Sequence, residues 1–125
     1  MTQGLCLDAG ALVAIERSDR RLLQLLELTN ERGLALDVPT GVLAQVWRGG
    51  RRQPLLARFL HLPEVRFVDL DVTTARAVGE LCALTGASDV VFAHVALHAL
   101  RLDLSVVTSD PADFEPYTDL AVIAV

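Results

Sequence analysis

Four aspartates stand where a parallel sheet would gather its chemistry. Asp8 closes the apolar run Leu5 to Leu7, and Asp110 closes the run Val106-Val107-Thr108. In an open parallel sheet the carboxyl ends of the strands border the crevice where ligands bind. Asp113 follows Asp110 by three residues, and Asp89 stands at the start of a long apolar segment. Carboxylates clustered without a His or Cys partner suit a hard cation such as Mg²⁺ or Mn²⁺. Each acid also has a plainer use. Asp8 and Asp110 suit helix N-caps, and Asp89 suits a first helical turn, where the dipole favours an anion.

Other groups carry weaker signals. His94 and His98 are four apart, a spacing that puts both on one helix face and can bind zinc. No third His or Cys ligand accompanies them. With Arg101 they form a polar stripe, read as a solvated or partner-facing edge. Arg48, Arg51 and Arg52 surround Gly49-Gly50. Guanidinium groups suit phosphate, which makes this a candidate phosphate-binding patch. The same three cations also suit an ordinary helix C-terminus. Trp47 stands alone and reads as a core or interface anchor rather than a base-stacking platform.

The elements that must hold these residues alternate along the chain. Short apolar strands are expected at Leu5 to Leu7, Leu34 to Val38, Val65 to Leu70, Leu104 to Thr108 and Ala121 to Val125. Helical patterns lie between them. They run from Ala9 to Glu16, from an N-cap at Ser18 to Gly33, from Pro39-Thr40 to Trp47, and from Pro54 to Leu60. Two more run from Thr73 to Leu84 and from an N-cap at Ser88 to Arg101. Strands separated by helices imply crossovers, a mostly parallel sheet and helices on both faces. No repeat or linker interrupts the 125 residues, so one α/β domain over 1–125 is expected.

Composition narrows the chemistry. All 11 basic residues are Arg, so the absence of lysine excludes Schiff-base and P-loop mechanisms. A receiver-like signalling domain also expects a Lys by resemblance. No Gly-rich turn follows the first strand, against a Rossmann nucleotide site. A net charge of −5 excludes a strongly cationic nucleic-acid binder but not a local basic patch. Cys6 and Cys82 both read as buried, reduced core thiols. No apolar run approaches the roughly 20 residues of a membrane span, so a cytoplasmic location is expected.

Four segments together resemble the PIN-domain family, in particular its VapC-type toxins. They are Leu7-Asp8-Ala9-Gly10-Ala11-Leu12, Val38 to Arg48, Ser88 to Ala96, and Val107-Thr108-Ser109-Asp110-Pro111. The resemblance covers the whole chain. It implies a three-layer PIN-like fold and a Mg²⁺- or Mn²⁺-dependent endoribonuclease silenced by a cognate antitoxin. It further implies a homodimer. It matches Asp8 to the family's first acid, Asp110 to the acid after the fourth strand, and Thr108 to the hydroxyl residue beside it. Relatives carry Glu where this chain has Gln45, and Asp where it has Phe92. Gln45 can still coordinate through its carbonyl oxygen; Phe92 cannot. Asp89, one turn earlier, and Asp113 are the substitutes for the missing charge. The alternative is a catalytically inactive PIN-like module that binds an antitoxin or RNA.

Overall fold

The computed structural model describes residues 3–125. The first strand, β1 (Gly4–Leu7), is buried along its whole length. Asp8 stops it and starts α1 (Ala9–Glu16), because its carboxylate accepts the Ala11 N–H at 3.0 Å. Then come α2 (Arg20–Glu31) and β2 (Ala35–Pro39), with Gly33 at φ 64° making the turn between them. The chain continues through α3 (Thr40–Val46), α4 (Pro54–Leu60) and β3 (Val65–Val68). It then forms α5 (Val72–Thr85), α6 (Val90–Leu102) and β4 (Ser105–Thr108), and ends in β5 (Ala121–Ala124). A 3-10 turn at Pro111–Phe114 lies between the last two strands.

Two helix N-caps differ from the sequence expectation by one residue. Asp19, not Ser18, caps α2, accepting the Leu22 N–H at 2.9 Å. Asp89, not Ser88, caps α6, accepting the Phe92 N–H at 3.1 Å. In both places a Ser precedes an Asp. The carboxylate wins because it adds a favourable charge at the positive end of the helix. Ser18 instead takes a φ of 54° and turns the chain.

All five strands are parallel, in the order β3-β2-β1-β4-β5. This is the expected three-layer α/β architecture, consistent with a PIN-like fold. The chain builds outward from β1 through β2 to β3, then crosses to β4 on the other side of β1. The direction of winding therefore switches between β1 and β4, where an open sheet leaves a crevice. Helix α1 packs against α3 and α4, while α6 packs on β1 and β4 and carries α5. The core between them is aliphatic, with Leu5, Leu7, Leu12, Val38, Val95 and Val106 fully enclosed. No single described helix is long and apolar enough to cross a membrane, and α5 and α6 meet at a 102° bend.

The histidines correct the expected solvated stripe. His94 is only 2% exposed, and His98 is largely covered. The reason lies on β2. Asp37 is 1% exposed and needs donors. His98 Nε2 meets its Oδ2 at 2.7 Å, and Arg66 on β3 grips it with Nε at 2.8 Å and Nη2 at 3.0 Å. Burial pushes the Asp37 pKa up, but the bonds from His98 and Arg66 outweigh it and hold the carboxyl below its usual range. The cysteines also divide: Cys6 is buried as expected, whereas Cys82 is partly exposed, and both are free thiols.

His94 Nε2 is buried without a hydrogen-bond partner among the described residues. Burial lowers its pKa, with the His98 charge adding to that and Asp71 opposing it. The folded protein therefore disfavours the charged ring, and stability falls as pH drops below the unfolded value of about 6.5. His94→Leu is expected to flatten the melting temperature between pH 7 and 5, where the native chain loses several degrees. Equal slopes for the two proteins in calorimetry would remove His94 as the source.

Candidate functional site

At the winding switch, the carboxyl ends of β1 and β4 deliver Asp8 and Asp110 beside each other. Asp8 is 3% exposed, enclosed as the cap of α1. Asp110 is exposed. Thr108, fully buried on β4, ties the two together. Its hydroxyl hydrogen-bonds the Asp8 carboxylate, and its Oγ1 accepts the Asp110 N–H at 3.0 Å. The Ser109 hydroxyl reaches Asp110 Oδ2 at 3.5 Å. Gly10, in the first turn of α1, permits this approach. A Cβ there would meet the Ser109 side chain and come within 3.0 Å of its backbone nitrogen.

The electrostatics follow from the enclosure. Desolvation raises the Asp8 pKa above that of an ordinary carboxyl group. The Thr108 hydroxyl and the Ala11 and Gly10 amides work against that rise, and the Asp110 charge adds to it. Two acids that repel each other in a partly dry crevice make a place where a cation is favoured.

The other sequence candidates lie elsewhere. Asp89 is committed to capping α6 and shares a cleft of about 260 Å³ with Asp113, Phe92 and Tyr117. Phe92 is half-buried and packs edge-to-face on Phe114, with ring centres 5.3 Å apart. Gln45 is exposed on α3 and makes no hydrogen bond among the described residues. Among those residues no three His, Cys, Asp or Glu side chains group as a metal site. The donor set at the switch is thus two carboxylates and a threonine hydroxyl. It fits one hard divalent ion and not a pair of them.

The arginines divide as well. Arg48 folds back over the end of α3, donating from Nη1 to the Trp47 carbonyl at 2.7 Å and the Ala44 carbonyl at 3.3 Å. Gln53 completes that cap by accepting the Arg48 N–H at 2.7 Å and donating to the Val46 carbonyl at 2.9 Å. Arg51 and Arg52 are exposed in the following turn, and Trp47 is also on the surface, at 36%. The sequence reading missed the Asp37–His98–Arg66 cluster. Its signal was a lone acid inside the apolar run Leu36-Asp37-Val38.

No family model matches the chain, and no curated protein matches it. Solved structures do. VapBC2 from Rickettsia felis, bound to a DNA fragment from its promoter, has 20% identity and a TM-score of 0.73. That match covers 96% of this chain and 97% of the other. FitAcB from Neisseria gonorrhoeae has 17% identity and a TM-score of 0.63, over 95% and 96% of the two chains. FitAB bound to an IR36 DNA fragment has 14% identity and a TM-score of 0.66, over 96% and 94%. These likenesses show the fold. They correct the family reading drawn from the four sequence segments. The matches are to antitoxin–toxin complexes and do not single out the PIN-domain family or its VapC-type branch. The physical reason is that the four segments are strand ends and helix starts, which the fold itself dictates.

Proposed function

We propose that this chain is one member of a toxin–antitoxin pair and cleaves RNA, with Mg²⁺ or Mn²⁺ held between Asp8 and Asp110. The carrying observation is the carboxylate pair at the winding switch, bracketed by Thr108. The toxin–antitoxin part is supported by the VapBC and FitAB complexes, which share this fold along nearly the whole chain. Asp8 and Asp110 would hold the ion, and Thr108 would fix the angle between them. A bound divalent ion would supply positive charge for the phosphodiester being cut. The protein's own part is to keep Asp8 enclosed and Asp110 open to substrate. The same reading places the chain in the cytoplasm with an antitoxin chain as partner, and includes a homodimer.

The test is cleavage of a structured-RNA pool by the purified protein in Mg²⁺, Mn²⁺ or EDTA, with Asp110→Asn as control. Metal-dependent cutting that disappears in the variant supports the proposal. No cutting, or equal cutting by the variant, overturns it. That result would favour the second reading, a non-catalytic module that binds RNA or an antitoxin. The small donor set favours this second reading, because among the described residues no third His, Cys, Asp or Glu joins the two carboxylates as a metal site.

The exposed pair Arg51 and Arg52 is expected to guide RNA phosphates. Arg51→Glu with Arg52→Glu should weaken RNA binding and lower the salt slope by roughly 1.4, about 0.7 per single-strand phosphate contact. An unchanged slope in anisotropy titrations would remove the patch from the proposal.

A further inference from the structure

A cavity of about 340 Å³ adjoins the carboxylate pair through Gly10 and Ser109, which line it. Its floor is one face of α1. Gly10, Val13, Ala14 and Arg17 all line it, at the i, i+3, i+4 and i+7 spacing that shares a helical face. The small residues at 10 and 14 leave the space open. Gly10 to Arg17 spans two turns, so the cavity leads along α1 from the acids toward a guanidinium group about 10 Å on. Arg17 is exposed and makes no ion pair among the described residues. It is the one cation among the described residues that line the cavity. Asp19 stands beside it, half-buried. Its Oδ1 accepts the Leu22 N–H at 2.9 Å, which leaves Oδ2 for another donor.

The occupant must satisfy a cation and a carboxylate side by side. A bare phosphate ion suits Arg17 but is repelled by Asp19. A ribonucleotide suits both, because its ribose carries a hydroxyl donor close to its phosphate. A guanidinium group takes the phosphate, and a carboxylate oxygen accepts the 2′-hydroxyl, the group by which a protein tells RNA from DNA. The chain also needs such a cation. Its net charge is −5, and the paired acids repel every phosphate that a metal ion does not meet. We propose that this cavity is a sugar–phosphate subsite for a nucleotide flanking the cleaved bond. Arg17 holds the phosphate there, and Asp19 accepts the 2′-hydroxyl and selects RNA over DNA. The place beside the cleaved bond rests on the RNA-cleaving reading above; sugar–phosphate binding itself does not.

The test measures anisotropy of the full chain in EDTA at low salt, with a single-stranded RNA hexanucleotide and the DNA of the same sequence. RNA should bind about 10-fold tighter, the discrimination expected of a hydrogen bond to a charged group. Asp19→Ser keeps an N-cap but withdraws the carboxylate, and should shrink the preference to about 2-fold or less. Asp19→Thr, a second short cap, carries the same test if the serine variant does not fold. Arg17→Gln should weaken RNA and DNA alike and lower the salt slope by about 0.7, one single-strand phosphate contact. Arg17→Lys should restore the slope. Melting curves check that each variant folds. Equal binding of RNA and DNA by the native chain overturns the proposal, as does no binding of either at millimolar concentration. So does an RNA preference that persists in the folded Asp19 variant, or a salt slope that Arg17→Gln leaves unmoved. RNA preference without metal-dependent cleavage leaves the subsite standing while the nuclease reading falls. Metal-dependent cleavage without RNA preference does the reverse.

Discussion

Asp8→Asn is expected to reduce metal-dependent RNA cleavage by about 100-fold or more and to raise the melting temperature at neutral pH. The two effects share one cause. Asp8 is enclosed, and burial raises its pKa, with the charge of Asp110 adding to the rise. The folded state thus favours the protonated form more than the unfolded state does. Stability from this group is fully present below the ordinary carboxylate pKa and is lost as pH rises through the elevated value. In the folded protein the ionised carboxylate is a burden that the proposed cleavage would require. Asparagine removes the charge while keeping an oxygen for the Ala11 N–H, and it is among the best N-caps. The gain should be roughly 2–5 °C, the shift that about 1 kcal/mol produces in a domain of this size. It should shrink as the pH approaches 4. The loss of cleavage follows from removing one of two carboxylates at the site. Calorimetry at pH 7 and 4 checks the first effect and RNA turnover the second. A lower melting temperature at pH 7 would show that the charge stabilises the fold. Retained turnover would remove Asp8 from the site.

Much of the fold was legible because strong local signals agree with the global architecture. The helical pattern from Ala9 gives α1 with its observed boundaries, and the apolar run before Asp8 gives β1 to within one residue at its start. Pro54 and Gly86 mark a helix start and a helix stop where the structure has them. What stayed hidden depends on partners distant in sequence. The period of α6 puts His94 and His98 on one face, but nothing in that helix says that Asp37 waits opposite His98. The burial of Asp37 turns an apparent solvent edge into a core contact. The acids show the same limit. Asp110 and Asp113 are near neighbours in sequence, yet the 3-10 turn sends Asp113 to the cleft with Asp89 rather than to Asp8. Closeness along the chain sets which residues share a loop. The turn type sets which way they face.

Gly10→Val is expected to damage both stability and cleavage, and the pairing of these losses tests how the site is assembled. A Cβ at position 10 would run into the Ser109 hydroxyl and lie 3.0 Å from both Ser109 Cβ and its backbone nitrogen. The hydroxyl can rotate away, but the backbone nitrogen cannot. Ser109 joins Thr108, which is locked in β4, to Asp110, so any shift is passed directly to the second carboxylate. Glycine inside a helix ordinarily costs about 1 kcal/mol relative to alanine. A side chain here would stabilise α1 if helix propensity decided the outcome. Overpacking by a branched side chain typically costs 1–3 kcal/mol. We therefore expect the melting temperature to fall by roughly 5–10 °C, with a smaller fall for Gly10→Ala. Cleavage should drop by about 10-fold or more even where the variant is fully folded, because a carboxylate misplaced by an ångström weakens the site. Ser109→Gly in the Gly10→Ala background removes the colliding side chain. It should recover about half of the lost stability in a double-mutant cycle, since contacting residues couple. A Gly10→Ala protein as stable as the native one would show that the strand end yields to α1. Asp110 would then owe its position to Thr108 alone.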